Sequence, residues 1–380
     1  MATTIHLFGE AEALRLARAS EAAIHEIGAF CATHGIEAHF RQSGWLWTAT
    51  TDAQMGAWEK PVQLCERLGV DAFLRLTPEE VARRAGSAAH RAGVLERCGA
   101  TVQPAALVRG LRRVALAQGV RIYEGTPVTT LSRESPSVLK TPRGTIRAER
   151  VVIATNAWAA ALRELSQALA VISSDIVATA RIPERLAAIG WTGGEGITDS
   201  QQMIDYYRTT RDGSIAFGKG GWGIALGGRI GGDFDRNPAR ARDVAADLHR
   251  LYPMLADVPL EYDWSGPIDR SKTGLPLLGR LGGHEHIFYG VGWSGNGVGP
   301  SVLGGKILAS LALRLQNEWS ACPLVDQKFQ RFPPEPIRYL GAHVVRNAVR
   351  RKERAEAQGR SPLRIDTALS RLVPSGLEDH

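Results

Sequence analysis

A glycine-rich loop between an apolar strand and a helix constrains the fold of this chain more than any other sequence feature. Apolar residues at 287–291 predict a buried strand before the loop, and apolar spacing over 301–315 predicts a helix after it. The loop carries five closely spaced glycines, namely Gly290, Gly292, Gly295, Gly297 and Gly299. The first three spell G-x-G-x-x-G, a spacing that by itself suggests a dinucleotide-binding fold, because glycines let a pyrophosphate approach backbone N–H groups at a helix N-terminus.

Two features argue against a nicotinamide dinucleotide at this loop. A dinucleotide-binding unit needs a further strand after the helix, with an acidic residue about 20 residues beyond the glycines. Glu318 is the only acidic residue near that distance, and it ends the predicted helix with no strand between. A nicotinamide-dependent dehydrogenase therefore stays an alternative, and another ligand is favoured.

The remaining pattern alternates helices and strands and has a β-rich middle. Apolar spacing predicts a helix over 10–34, a capping box at Thr77-Pro78-Glu79-Glu80 starts another, and Pro104 opens a third. Strands are predicted at 38–50, 120–123, 126–131, 137–141, 145–148 and 151–154. Further strands are predicted at 176–182, 203–210, 214–218, 223–230 and 259–264. This order predicts an α/β layer with antiparallel material inserted.

Four segments together resemble one enzyme family. The run from Tyr289 to Ser301, with Gly304-Gly305-Lys306, is similar to the C-terminal flavin-binding segment of FAD-dependent oxidoreductases of the D-amino-acid oxidase superfamily. It looks most like the branch that contains gamma-glutamylputrescine oxidase. The other matching segments are 103–128, Val151-Val-Ile-Ala-Thr-Asn-Ala157, and Asp205-Tyr-Tyr-Arg208 with Asp212-Gly213 and Phe217-Gly218. Taken in order, they cover most of residues 10–320.

The resemblance implies an α/β protein with an α+β substrate layer. A discontinuous FAD-binding domain would carry an inserted substrate domain built on an antiparallel sheet. The implied FAD-binding parts are 1–37 (helical), 99–165 (middle) and 266–320 (C-terminal flavin segment). The implied substrate-domain parts are 38–98 and 166–265, and 321–380 would be a basic helical extension.

The same resemblance implies a set of cofactor-binding residues: Val128, Ala154, Thr155, Asn156, Gly292, Trp293, Ser294, Gly295, Asn296, Gly297, Val298 and Gly299. Converging N–H groups at a helix start suit the negative charge that a reduced flavin carries at N1–C2=O. Trp293 is predicted either to line the pocket or to lie in the core. Because no cysteine lies near Lys272, we expect FAD to be bound noncovalently.

Three residues are candidates for the substrate side. Strand alternation places Tyr206 and Arg208 on one face, where a guanidinium fork and a hydroxyl could hold a carboxylate; the alternative is an exposed strand pair. Lys272 precedes a segment expected near the flavin edge, and the alternative is a surface lysine. The implied reaction oxidises an amine or amino acid by hydride transfer to flavin, with O₂ or another acceptor regenerating the cofactor.

The sequence departs from the family pattern at its start. Members begin with a strand, a G-x-G-x-x-G turn, a helix and a second strand that ends in an acid, and Met1 leads directly into a later helical segment. We expect either that this ADP-binding βαβ unit lies upstream of Met1, or that the chain is a remnant with weak FAD binding and no catalysis. The chain alone is expected to purify with little FAD.

Composition and charge exclude several other classes. Four cysteines without a C-x-x-C pair and ten scattered histidines predict no metal cluster and a reducing, cytoplasmic setting. No apolar run is long enough to span a membrane. Between residues 328 and 371, eleven basic residues face four acidic ones. We interpret this stretch as a helix docked through Leu340, Val344, Val345, Ala348 and Val349, without a nucleic-acid partner.

Overall fold

The computed structural model describes residues 1–374. The α-helices are α1 (Ala2–Phe8), α2 (Glu10–Thr33), α3 (Glu59–Arg67), α4 (Pro78–Ala85), α5 (Pro104–Ala117), α6 (Pro183–Ala188), α7 (Pro238–Leu251), α8 (Pro300–Leu313), α9 (Ile337–Ala357) and α10 (Arg364–Ser370). The strands are β1 (Trp45–Ala49), β2 (Phe73–Arg75), β3 (Ala92–Glu96), β4 (Thr130–Leu131), β5 (Ser137–Thr141), β6 (Gly144–Ala148), β7 (Val151–Ile153), β8 (Ala170–Thr179), β9 (Gly196–Thr198), β10 (Asp205–Thr209), β11 (Ile215–Ile224), β12 (Leu260–Arg270), β13 (Leu277–Arg280) and β14 (Ile287–Val291). This mixture confirms the predicted α/β class.

The largest element is an eight-stranded sheet with the order β12-β8-β11-β10-β9-β1-β3-β2. Its pairs are antiparallel except for β1 with β9. Along β8, alternate residues are buried and half-buried, so one face of the sheet lies in the core and the other is partly open. Helices α4, α6 and α7 cover the buried face, where Trp191, Tyr207 and Phe217 lie in an apolar cluster.

A second, three-stranded sheet carries the glycine loop. Its order is β13-β14-β7, with β14 antiparallel to β13 and parallel to β7. Helix α8 follows the loop and packs on β13 and β14. Among the described residues β7 pairs with β14 alone, and the Val152 side chain on β7 is 44% exposed. One edge of this sheet is therefore open.

Local signals predicted several elements correctly. The Thr77 hydroxyl accepts the Glu80 N–H at 3.3 Å, and the Glu80 carboxylate accepts the Thr77 N–H at 2.9 Å. This capping box starts α4, which ends at Gly86 in the left-handed region. The predicted helix over 10–34 is confirmed as α2, and the predicted hairpin of β5 and β6 is also confirmed.

The predicted strand over 120–123 is wrong. Residues 119–123 have no regular secondary structure, and the strand predicted over 126–131 is reduced to Thr130–Leu131. Apolar side chains of the segment are exposed, among them Ile122 at 38% and Tyr123 at 64%. A strand needs a neighbour to receive its N–H and C=O groups, and within residues 1–374 no strand lies beside this segment.

Two other strand predictions are correct only in part. Segments 214–218 and 223–230 contain one strand, β11, whose pairing with β8 is interrupted by a bulge between Gly220 and Ile224. Gly221 adopts φ +88° inside that bulge, a conformation that favours glycine. The strand predicted over 38–50 is limited to β1, because only Trp45–Ala49 pairs with β3.

The prediction for the basic C-terminal helix is partly wrong. Ala348 and Val349 are buried, but Leu340 and Val344 are 60% and 53% exposed. Only the second half of α9 packs closely against the large sheet, where the Arg350 guanidinium lies 4.0 Å from the centre of the Trp222 ring. Glu353 accepts the Met203 N–H at 3.0 Å in the same region. The helix thus docks mainly through residues from Arg346 onward and leaves Leu340 and Val344 of its first half exposed.

Candidate functional site

The residues predicted to bind a cofactor, apart from Val128, follow the carboxyl ends of two strands of the three-stranded sheet. Strands β7 and β14 run parallel with Ile153 opposite Tyr289, so their carboxyl ends lie side by side. Residues 154–156 continue from β7, and the glycine loop 292–299 continues from β14. The carboxyl edge of parallel strands is the usual ligand position in α/β proteins. Ala154, Thr155 and Asn156 are exposed there.

A buried acid that the sequence analysis missed holds the first part of the loop. The Asp269 carboxylate, on a residue 1% exposed, accepts the N–H of Gly292 at 2.6 Å and of Trp293 at 3.0 Å. Its backbone C=O also accepts the Ser294 N–H at 3.2 Å. Burial raises the pKa of Asp269 to about 6, although the donated hydrogen bonds act to lower it. No local signal distinguished Asp269, because the same strand also carries Glu261 and Asp263.

The second part of the loop presents backbone donors outward. In the described structure the N–H groups of Gly295, Gly297, Val298 and Gly299 donate to no protein acceptor. They precede the 14-residue helix α8, whose N-terminus adds a partial positive charge. The loop therefore divides in two: Gly292 and Trp293 are held internally by Asp269, and residues 295–299 are free to bind a negatively charged or carbonyl-bearing ligand.

Trp293 belongs mainly to the core. It is half-buried and packs with the apolar cluster beneath α8 that includes Phe288 and Leu308. Glycines accommodate the ring, since a Cβ at Gly304 would lie 2.4 Å from Trp293 Cη2. The ring thus fixes α8 against the sheet and supports the loop from below.

The structure places Tyr206 and Arg208 on the half-open face of the large sheet, as strand alternation predicts. It does not present them as a fork. The Tyr206 hydroxyl is hydrogen-bonded to the Ser174 hydroxyl, and the Arg208 guanidinium donates to the C=O of Val102 at 2.7 Å. Burial lowers the pKa of Arg208. The Tyr206 ring lies over Gly218, where a Cβ would be 2.2 Å from Tyr206 Cζ.

Two further candidates lie at the margins of the site. Lys272 lines a cavity of about 80 Å³ together with Leu7, Ser271 and Gln327, a space large enough for water molecules only. Val128, one of the residues predicted to bind the cofactor, is 50% exposed and lies two residues before β4. The structure does not bring Lys272 into contact with Tyr206 or Arg208 through any hydrogen bond within residues 1–374, and the roles of all three stay predictions.

Comparison with known proteins identifies the fold. The sequence pattern of the DAO family, described as FAD dependent oxidoreductase, matches residues 3–311. The chain belongs to this family. The resemblance noted from the glycine loop is therefore confirmed, and with it the expectation that the cofactor of the family is FAD.

Individual relatives agree with this assignment. The chain is 28% identical over 278 residues to gamma-glutamylputrescine oxidoreductase of Escherichia coli (strain K12), covering 73% of this chain and 62% of that protein. It is 31% identical over 280 residues to the probable oxidoreductase OrdL of Rhizobium meliloti (strain 1021), covering 70% of this chain and 59% of the relative. The chain thus spans about three fifths of the length of these curated relatives.

Solved structures support the same fold. The crystal structure of glycine oxidase from Geobacillus kaustophilus superimposes with a TM-score of 0.70 at 22% identity, covering 86% of each chain. The crystal structure of L-proline dehydrogenase from P. horikoshii gives 0.65 at 20% identity, covering 80% of each chain. Over residues 1–374, no helix is both long and apolar enough to cross a membrane.

The residues present fit the flavin part of FAD. Four outward N–H groups at the start of α8 match the polar N1–C2=O edge of a flavin, which accepts hydrogen bonds and gains negative charge on reduction. Gly295, Gly297 and Gly299 carry no side chains, so that Asn296 and Val298 are the side-chain-bearing residues between them and a flat ring can approach the backbone at the glycines. The exposed residues 154–156 lie beside them at the sheet edge.

Proposed function

We propose that this chain takes part in the FAD-dependent oxidation of an amine or amino acid. Its curated relatives include gamma-glutamylputrescine oxidoreductase, glycine oxidase at 29% identity over 225 residues, and sarcosine oxidase subunit beta at 25% identity over 253 residues. The observation that carries the proposal is the set of free N–H groups at 295–299, which lies inside the segment that matches the family.

The protein residues would bind and orient the reactants. When bound, FAD would supply the acceptor for the hydride that leaves the carbon next to the amine nitrogen. The free N–H groups at 295–299 would hold the polar edge of the ring, and Asp269 would keep the loop in place. Oxidation of the C–N bond yields an imine, which water hydrolyses to a carbonyl compound and an amine or ammonia.

The half-open face of the large sheet would form the substrate side. Tyr206, Ser174 and Trp264 lie on this face, and Trp264 is 41% exposed. Arg208 would have to leave the Val102 carbonyl before it could bind a carboxylate, so the geometry gives the carboxylate fork no support. We therefore assign substrate hydrogen bonding to the Tyr206–Ser174 hydroxyl pair. Lys272, near the expected flavin edge, would promote reduction of O₂ or another acceptor.

Two alternatives lead to different outcomes. A nicotinamide-dependent dehydrogenase is disfavoured because Gly290 lies inside β14 and because, within residues 1–374, no strand follows α8 to complete a βαβ unit. A non-catalytic role with weak FAD binding would fit the open edge of β7 and the exposed segment 120–128. In the proposed function, FAD is bound noncovalently.

The test has two stages. The first is FAD titration into the purified chain, followed by flavin absorbance and fluorescence, with release of the flavin on denaturation as the check for noncovalent binding. The second is a panel of amines and amino acids assayed for flavin bleaching without oxygen and for H₂O₂ with it. Flavin binding without bleaching by any amine would favour the non-catalytic alternative, and NAD-dependent turnover without flavin would refute the proposal.

A further inference from the structure

Three metal-binding side chains converge outside the site described above. Glu21 and His25 lie one turn apart on α2, and Cys98 follows β3. One ligand atom from each lies within 4.8 Å of the other two. The Cys98 Sγ is 3.0 Å from Glu21 Oε1. The sequence predicted no metal cluster because these residues are far apart along the chain, and only the fold brings α2 beside the end of β3.

The charges around this group favour a cation. The Glu96 carboxylate lies next to it and accepts the Cys98 N–H at 2.9 Å. In the part of the chain that the structure describes, no lysine or arginine forms an ion pair with Glu21 or Glu96. Glu21 and Glu96 thus repel each other beside the Cys98 thiol, while the nearby Arg97 pairs with Asp71, and a bound divalent cation would reduce this repulsion.

The donor set points to one kind of ion. Thiolate, imidazole and carboxylate together suit Zn²⁺, which is bound tetrahedrally at about 2.3 Å from sulfur and about 2.0–2.2 Å from nitrogen or oxygen. Those lengths place neighbouring ligand atoms roughly 3.3–3.8 Å apart, a separation that small side-chain rotations reach from the present geometry. Three protein ligands leave the fourth position to water. Hard cations such as Mg²⁺ or Ca²⁺ would not use the thiol.

We propose that Glu21, His25 and Cys98 form a zinc site that ties α2 to the edge of the large sheet. Helix α2 also contacts α8, the helix that follows the glycine loop, through an ion pair of 2.6 Å between Lys306 and Glu26. A metal at this position would therefore fix α2 between the sheet and the loop-bearing helix. The site lies apart from the glycine loop and holds its ion whether or not FAD is bound.

Cobalt binding tests the proposal on the full chain. Titration with CoCl₂ should produce one tetrahedral Co²⁺ per chain, with visible d–d bands and a near-ultraviolet thiolate charge-transfer band, and added ZnCl₂ should abolish both. Cys98→Ser should remove the charge-transfer band, and His25→Gln should weaken metal binding at least tenfold. His6→Gln, an exposed histidine on α1, is the matched control and should bind cobalt like the wild type.

Thiol reactivity gives a second measurement. Cys31, Cys65 and Cys322 are buried, so Cys98 is the thiol that a disulfide reagent reaches first in the folded protein. Zinc should slow its modification in the wild type and in His6→Gln, but not in His25→Gln. If Cys98→Ser fails to fold by circular dichroism, Glu21→Gln and His25→Gln decide the question. An octahedral cobalt spectrum, or equal zinc affinity in wild type and His25→Gln, would overturn the site and leave an ordinary thiol–carboxylate hydrogen bond.

Discussion

The buried lysine of the large sheet gives a prediction whose magnitude follows from the structure. The Lys219 side chain is 3% exposed, and its ammonium lies 2.8 Å from the Asp205 carboxylate and 3.1 Å from that of Asp247. It also donates to Gln201 Oε1 at 3.1 Å. Burial lowers the pKa of Lys219, but the neighbouring carboxylates outweigh burial and raise it above its ordinary value. Lys219 is therefore charged throughout the range in which the protein folds.

Lys219→Met keeps the length of the side chain and removes its charge. Asp205, which is fully buried, would then keep the Arg250 guanidinium, 3.2 Å away, and a hydrogen bond of 3.2 Å from the Gln201 amide. Removing one partner of a buried ion pair costs about 3–5 kcal/mol, and the remaining Arg250 places our expectation near the lower end, about 3 kcal/mol. Lys306→Met is the matched control: its pair with Glu26 is partly exposed and should contribute less than about 1 kcal/mol.

The free energies of unfolding of the wild type, Lys219→Met and Lys306→Met are measured by urea unfolding at pH 7.5 and at pH 5.5, with tryptophan fluorescence as the signal. Burial raises the pKa of Asp199 and raises that of Glu353 to about 7, even though Lys219 acts to lower both. A carboxyl with a raised pKa in the folded state destabilises that state once ionised. Loss of the Lys219 charge should raise these pKa values further, so the difference in free energy of unfolding between wild type and Lys219→Met should shrink as pH falls. A deficit no larger than that of Lys306→Met, or one that grows at pH 5.5, would refute this reasoning.

Three further predictions concern the loop and the substrate face. Gly297→Val should weaken FAD binding at least tenfold, because a Cβ at this position would lie 3.1 Å from Trp293 Cβ and the branched side chain would displace the loop backbone. Gly305→Ala, with open space around it, should leave FAD affinity unchanged, and equal affinity in both variants would remove the loop from the site. Because the Asp269 carboxylate accepts the N–H groups of Gly292 and Trp293, Asp269→Asn should lower the amide protection factors of these two residues, measured by hydrogen exchange; unchanged protection would show that another contact holds the loop. Because Arg208 donates to Val102, Arg208→Lys should change KM for an amino-acid substrate by less than about threefold; a tenfold rise confined to carboxylated amines would restore the carboxylate fork.

The sequence determined the elements whose signals are local. The capping box at Thr77 and Glu80 depends on a short spacing, and α2 depends on apolar residues that repeat once per turn. The glycine loop was recognised in the same way, because a strand, a run of glycines and a helix follow one another directly. Such signals need no knowledge of distant residues, which is why they identified the family.

Only the tertiary structure decided which polar and apolar groups meet. The segment 120–123 has the composition of a strand, but a strand forms only where a neighbour accepts its backbone hydrogen bonds, and the described structure supplies none. Asp269 accepts a hydrogen bond from Gly292, and Cys98 lies beside Glu21, although the two residues of each pair are far apart in the chain. The periodicity of a sequence predicts on which face of its own helix or strand a residue lies. It does not predict which distant helix or strand packs against that face.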